Sequence, residues 1–99
     1  MDPRFPEWCG ATNFGGKCPV QGEGKIGDAY WYFRARGARW SITVATTEDE
    51  AVWPREGEPL YHHEEPFGEW PEAGWMSDEM AIAFIVRELG KYREGRKLG

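Results

Sequence analysis

Tyr30-Trp31-Tyr32-Phe33-Arg34-Ala35-Arg36-Gly37-Ala38-Arg39-Trp40, the centre of a stretch running from residue 22 to residue 45, decides how this chain folds. Before the Gly37-Ala38 pair, Trp31, Phe33 and Ala35 alternate with Tyr30, Tyr32, Arg34 and Arg36. After it, Trp40, Ile42 and Val44 alternate with Arg39, Ser41 and Thr43. Alternation with a period of two is the mark of a strand with one buried face. A two-residue loop with glycine at the positive-φ position of a II′ turn sets the pairing. Ala35 then faces Trp40, Phe33 faces Ile42 and Trp31 faces Val44. A slip by one residue would set these rings against polar groups.

The same argument extends upstream. Gly27-Asp28 is a second two-residue turn, which pairs Ile26 with Ala29, Gly24 with Trp31 and Gly22 with Phe33. Glycine weakens a strand, but opposite a large ring it leaves room for that ring. Gly22-x-Gly24-x-x-Gly27 also has the spacing of a dinucleotide-binding loop. It precedes a strand and opens no helix, so it is read as strand rather than phosphate cradle.

Outward from this meander (strands at 19–26, 29–36 and 39–46), residues 1–17 carry Pro3, Pro6, Gly10, Gly15 and Gly16 without periodicity. They read as an arm that Phe5, Trp8 and Phe14 tack to the body. Residues 47–76 form an acidic loop rich in proline and tryptophan, among them Trp53, Pro54, Trp70 and Trp75. A short edge strand is expected at residues 60–64, with Leu60 and His62 on one face and Tyr61 and His63 on the other. Ser77 is a helix N-cap followed by Asp78 and Glu79. Ala81, Ile82, Ile85, Val86, Leu89 and Tyr92 share one arc at 100° per residue, predicting an amphipathic helix over residues 78–92 with Gly90 as an early stop. Met80 and Phe84 fall outside the arc and are expected to meet the loop before the helix. The fold class is α+β: a three- to four-stranded antiparallel meander with a C-terminal helix across Trp31, Phe33, Trp40 and Ile42. Trp40 is expected near Ile85 or Leu89.

Ninety-nine residues make one domain with a modest core. No apolar run reaches the ~18 residues of a membrane span, and Met1-Asp2-Pro3-Arg4 begins nothing like a signal peptide. The expectation is a cytoplasmic protein without membrane attachment. Cys9 and Cys18 are accordingly read as free thiols. The net charge of −5 is unevenly spread. Residues 25–46 hold four basic groups and one acidic, and residues 47–79 hold Arg55 against eleven acids.

Three constellations bear on function. Tyr30, Tyr32, Arg34, Arg36 and Arg39 share the outer face of the meander, a mix that suits single-stranded nucleic acid through stacking and phosphate pairing. The competing account is a solvated sheet face whose arginines are met by the chain's own acids. Cys9, Cys18, His62 and His63 are the one conceivable zinc set, but Cys-x8-Cys is too wide and adjacent histidines rarely share an ion. The same residues offer no acidified thiol for nucleophilic catalysis, and Glu64-Glu65 and Asp78-Glu79 are too ordinary in an acidic segment to imply acid–base work. No enzyme, metal or cofactor is expected. Third, Trp70 and Trp75 stand among Glu64, Glu65, Glu69 and Glu72, the pattern of aromatic anchors with a charged rim.

Gly22-Glu23-Gly24, then Tyr32-Phe33-Arg34-Ala35-Arg36-Gly37, then Trp40-Ser41-Ile42, and later Trp70-Pro71-x-x-Gly74-Trp75-Met76 give this chain its resemblance. Over residues 18–92 it resembles small acidic proteins of phages and mobile elements in high-GC bacteria, which include anti-CRISPR and other anti-defence inhibitors. The resemblance implies inhibition by binding a bacterial nucleic-acid-handling protein or its nucleic-acid complex. It brings no functional residue with it.

Overall fold

The structure is a computed structural model that describes residues 3–52 and 59–98, the last three of these by backbone alone. Trp53, Pro54 and Arg55, which fall in the expected loop, lie outside the described residues. Five antiparallel strands form one sheet in the order of the sequence: β1 (Ala11–Gly15), β2 (Val20–Ile26), β3 (Ala29–Arg36), β4 (Arg39–Ala45) and β5 (Tyr61–Pro66). A short helix α1 (Glu48–Val52) follows β4, and the long helix α2 (Asp78–Leu98) ends the fold.

The register of the central strands is the one the alternation demands. Trp31 pairs with Val44, Phe33 with Ile42 and Ala35 with Trp40. Ile26 pairs with Ala29, Gly24 with Trp31 and Gly22 with Phe33. At the β3–β4 turn φ is +68° at Gly37 but not positive at Ala38, as a II′ turn requires. Gly24 has no space for a side chain: a Cβ there would lie 2.5 Å from the Gly10 carbonyl oxygen and 2.8 Å from Trp31 Nε1. This close approach lets Trp31 Nε1 donate to the Cys9 carbonyl at 2.7 Å, so the buried indole loses no hydrogen bond.

The sheet has one strand more than the three to four expected, and the edge strand expected at residues 60–64 forms as β5. The N-terminal segment is more than an arm, because residues 11–15 add β1 to β2, with a bulge between Ala11 and Asn13. Phe5 and Phe14 meet edge to face at 5.4 Å, and Phe5 reaches Trp31 at 6.1 Å, which ties this segment to the core. At the other edge β5 runs two residues beyond the expected end, and Pro66 closes it. A short bulged β1 and a proline- and charge-bearing β5 are both poor templates for a further strand. The acidic start of the long loop forms α1. Thr47 caps it, its Oγ1 accepting from Glu50 N–H at 3.2 Å.

Helix α2 begins where Ser77 caps it, with Oγ accepting from Met80 N–H at 3.2 Å. It lays Ala81, Ile85, Leu89 and Tyr92 on the sheet, all buried, with Ile82 and Val86 partly covered. Trp31, Phe33, Trp40 and Ile42 are buried beneath it. The ring stacked on Trp40 belongs to Phe84, 4.7 Å away and nearly parallel, and Phe84 also meets Phe67 of the preceding loop edge-on at 6.1 Å. Gly90 does not end the helix, which runs through it to Leu98. A Cβ there would lie 3.9 Å from the Trp8 ring, over which the Arg93 guanidinium sits at 4.1 Å. Among the described residues, no helix is long and apolar enough to cross a membrane.

Candidate functional site

Strand parity puts Tyr30, Tyr32, Arg34, Arg36 and Arg39 on the face away from α2, as the sequence suggests. That face is only partly open. Thr43 and Ala45 point the same way yet are buried, and α1 packs against β3 and β4 with Ala51 buried. At this covered end Lys25 lies over the Tyr30 ring at 5.6 Å. Further along, the Tyr32 hydroxyl donates to Gln21 Oε1 at 3.1 Å, and burial pushes the phenol's pKa above its ordinary value against the pull of Arg34.

The open end lies beside the β3–β4 turn. Residues 67–76 are fastened there by backbone hydrogen bonds: Phe67 N–H donates to Ala38 O at 2.8 Å and Ala73 N–H to Gly37 O at 2.9 Å. A 3-10 turn at Glu72–Trp75 completes the loop, with Ala73 and Gly74 buried. The Trp70 ring rests on Gly37, where a Cβ would lie 2.5 Å from the ring. Glycine therefore serves twice here, supplying the positive φ and admitting the indole. Arg34, Arg36, Arg39, Ser41, Glu64 and Trp70 together line a shallow groove of about 390 Å³. Arg39 donates to Glu64 Oε2 at 2.9 Å. Arg34 and Arg36 form no ion pair among the described residues.

The six residues read as an acidic, tryptophan-bearing surface are only partly brought together: Glu64 lines the groove with Trp70, and Glu65 does not. Glu64 and Glu65 are successive residues of β5, so their carboxylates leave opposite faces. Glu64 accepts from His62 Nε2 at 3.2 Å as well as from Arg39, and these bonds hold its pKa below the usual carboxylate value. Because a carboxylate only accepts, His62 Nε2 carries the proton, and in the neutral ring Nδ1 accepts from the Thr43 hydroxyl at 2.8 Å. Glu65 accepts from His63 Nε2 at 3.0 Å and Arg87 Nη2 at 2.6 Å, which lower its pKa likewise. Glu69 and Glu72 do lie beside the tryptophans, with Glu72 Oε2 accepting from Glu69 N–H at 3.3 Å. Trp70 and Trp75 are 73 % and 60 % exposed.

A polar cluster that sequence reasoning missed joins β5 to α2. Glu88, with no exposed surface, accepts from the Tyr61 hydroxyl at 2.5 Å and Arg87 Nε at 2.7 Å, with Lys91 Nζ at 3.3 Å. Burial alone would raise the Glu88 pKa, but the hydrogen bonds from Tyr61, Arg87 and Lys91 outweigh it and hold it below the ordinary value. Burial and the same bond push the Tyr61 pKa up to about 12. One oxygen or nitrogen from each of His63, Glu65 and Glu88 lies within 4.8 Å of the others, a possible cation cradle. The Arg87 guanidinium already holds both carboxylates there, so the cluster acts as a clamp between strand and helix.

The zinc set considered from the sequence is dispersed. His62 and His63 leave opposite faces of β5. Cys9 is buried beneath Trp31, where burial raises its pKa to about 11 against the lowering effect of Arg93. Cys18 is exposed and packs against Gly74. Both cysteines are free thiols, and the Cys9 pKa is moved away from the range of an activated nucleophile.

Compared with protein-family models, curated proteins and solved structures, the chain matches none.

Proposed function

We propose that this chain is a non-catalytic binding protein that inhibits a bacterial nucleic-acid-handling protein by docking through the loop that carries Trp70 and Trp75. One observation carries the reading. Two large rings stand 73 % and 60 % exposed on a backbone fastened to the β3–β4 turn. Exposed aromatic area on a rigid mount is costly to leave in water and costs little entropy to dock, which is how interface anchors are built. Glu69 and Glu72 supply the charged rim on this side. Glu64 and Glu65 drop out of the rim because their charge is spent on His62, Arg39, His63 and Arg87. The acidic balance of the whole chain, with the resemblance of its sequence to phage anti-defence proteins, favours this partner class.

The test expresses the full chain in bacteria that carry an active CRISPR or restriction system and counts plaques of a targeted phage. The expected result is restored plaquing, lost in a W70A/W75A double variant that folds and accumulates like the parent. Unrestored plaquing across such systems, with no partner recovered from the same cells at low salt, would overturn the reading.

A further inference from the structure

The groove beside Trp70 has a chemistry of its own, distinct from the rim of Glu69 and Glu72. Its side walls hold two guanidiniums that no carboxylate among the described residues answers, although the chain as a whole carries five more acids than bases. In so acidic a molecule, arginines side by side on the outer face of the central strand, unanswered among the described residues, suit an external anion. Arg34 and Arg36 are two residues apart on β3, so their Cα atoms are separated by one strand repeat of about 6.8 Å. That is comparable to the step between consecutive phosphates in an extended single strand. The one carboxylate in the groove, Glu64, is already neutralised by Arg39 at 2.9 Å. At the end of the groove the Trp70 ring stands 73 % exposed, backed by Gly37.

We propose that this groove binds a short stretch of single-stranded nucleic acid, with Arg34 and Arg36 taking successive phosphates and Trp70 stacking on a base. A nucleotide carries an anion and a flat π-system at a fixed separation, and the groove offers a partner for each. An acidic peptide would satisfy the guanidiniums but leave the indole without its stacking partner. A duplex hides its base faces and would meet Trp70 only by its edge. Ser41, paired with Arg34 across the β3–β4 ladder, adds a hydroxyl that can donate to a phosphate oxygen. Tyr30, grouped with these residues by parity, plays no part, because α1 covers its end of the face. The site shares Trp70 with the protein-docking loop but depends on none of Trp75, Glu69 and Glu72.

Fluorescence anisotropy of a labelled twelve-nucleotide oligothymidylate, titrated with the full chain at about 50 mM salt, tests this. Saturable binding is expected, with log affinity falling against log salt at a slope of about −1.4 for two neutralised phosphates. R34Q/R36Q should weaken it by about tenfold or more, W70A by at least about fivefold as a lost stacking platform would. W75A should leave it unchanged while removing the phage phenotype, which separates this site from the docking loop. Each variant is checked by its thermal melt, so a failure to fold cannot pass for a failure to bind. The proposal is overturned by an absence of saturable binding, by R34Q/R36Q binding as the parent does, or by a duplex or a polyglutamate competing as well as the unlabelled strand.

Discussion

Trp31 and Trp40 are each 1 % exposed, and Trp70 and Trp75 are 73 % and 60 % exposed, within one small domain. The first pair sits on strands, where every second side chain is delivered to the same face whatever the chain does elsewhere. The second pair sits in a loop whose backbone is anchored by bonds to Gly37 and Ala38, and whose buried contacts are made by Phe67, Ala73 and Met76 instead. The same residue type is thus a core element in one region and a presented surface in the other. What differs is the element that carries it, and whether the neighbouring residues have already filled the available core.

Truncation should separate the two regions most sharply at Trp40. The variant W40A removes the ring that Phe84 stacks on and should cost about 3–5 kcal/mol in a denaturant melt. Against a total of ~5–15 kcal/mol, that can unfold the domain. A loss under ~1 kcal/mol would show that the sheet–helix contact is not where stability resides.

Glu88 probes the same contact through charge. E88Q should cost about 1–3 kcal/mol, since Arg87 and Lys91 lose their buried counter-ion. The folded-state pKa of Glu88 lies below its ordinary 4.5, so its contribution is complete above that pH and is lost as the pH falls through the folded value. Wild type should therefore lose stability on acidification from about pH 4.5 downward, and E88Q should show a shallower loss over the same range. Parallel acid profiles for the two proteins would mean that folding does not shift the Glu88 pKa, and a steeper loss in E88Q that folding raises it.

Gly24 tests how tightly β1 closes over the ring of Trp31. A methyl group there would lie 2.9 Å from the Ala11 Cα as well as against Gly10 and Trp31, so G24A should cost about 1–3 kcal/mol. Tyr32, on the opposite face and half-exposed, gives up one exposed hydrogen bond to Gln21, and Y32A should cost about 1 kcal/mol or less. The smallest effect belongs to the loop. W75A should shift stability by no more than ~0.5 kcal/mol, measured in the same melts, while abolishing docking. A larger loss would make Trp75 part of the core and remove it from the interface.

Helix α2 shows how a correct pattern can still be misread. At 100° per residue Glu88 falls at the edge of the buried arc, about 20° beyond Ala81, so its position was visible. Charge belongs outside unless it finds partners, and while Lys91 lies one turn along α2, Tyr61 and His63 on β5 reach Glu88 only where strand and helix meet. The cap of α1 was equally visible in Thr47-x-x-Glu50, the spacing of a capping box, beneath an acidic composition that reads as loop.

Sequence by itself determined the meander, its register, the II′ turn at Gly37, the two faces of β3 and β4, and the start of α2. All of these rest on interactions within a few residues, or on a parity that a hairpin turn transmits across the ladder. Tertiary structure alone decided that β1 joins the sheet, that α1 covers the Tyr30 end of the outer face, that Glu64 and Glu65 spend their charge inside the molecule, and that Trp70 comes to rest beside Arg34 and Arg36. Each of these depends on where a segment without periodicity returns to the sheet. The return is set by the space that Gly24 and Gly37 leave open and by the backbone bonds offered there, and no local pattern in the chain encodes that match.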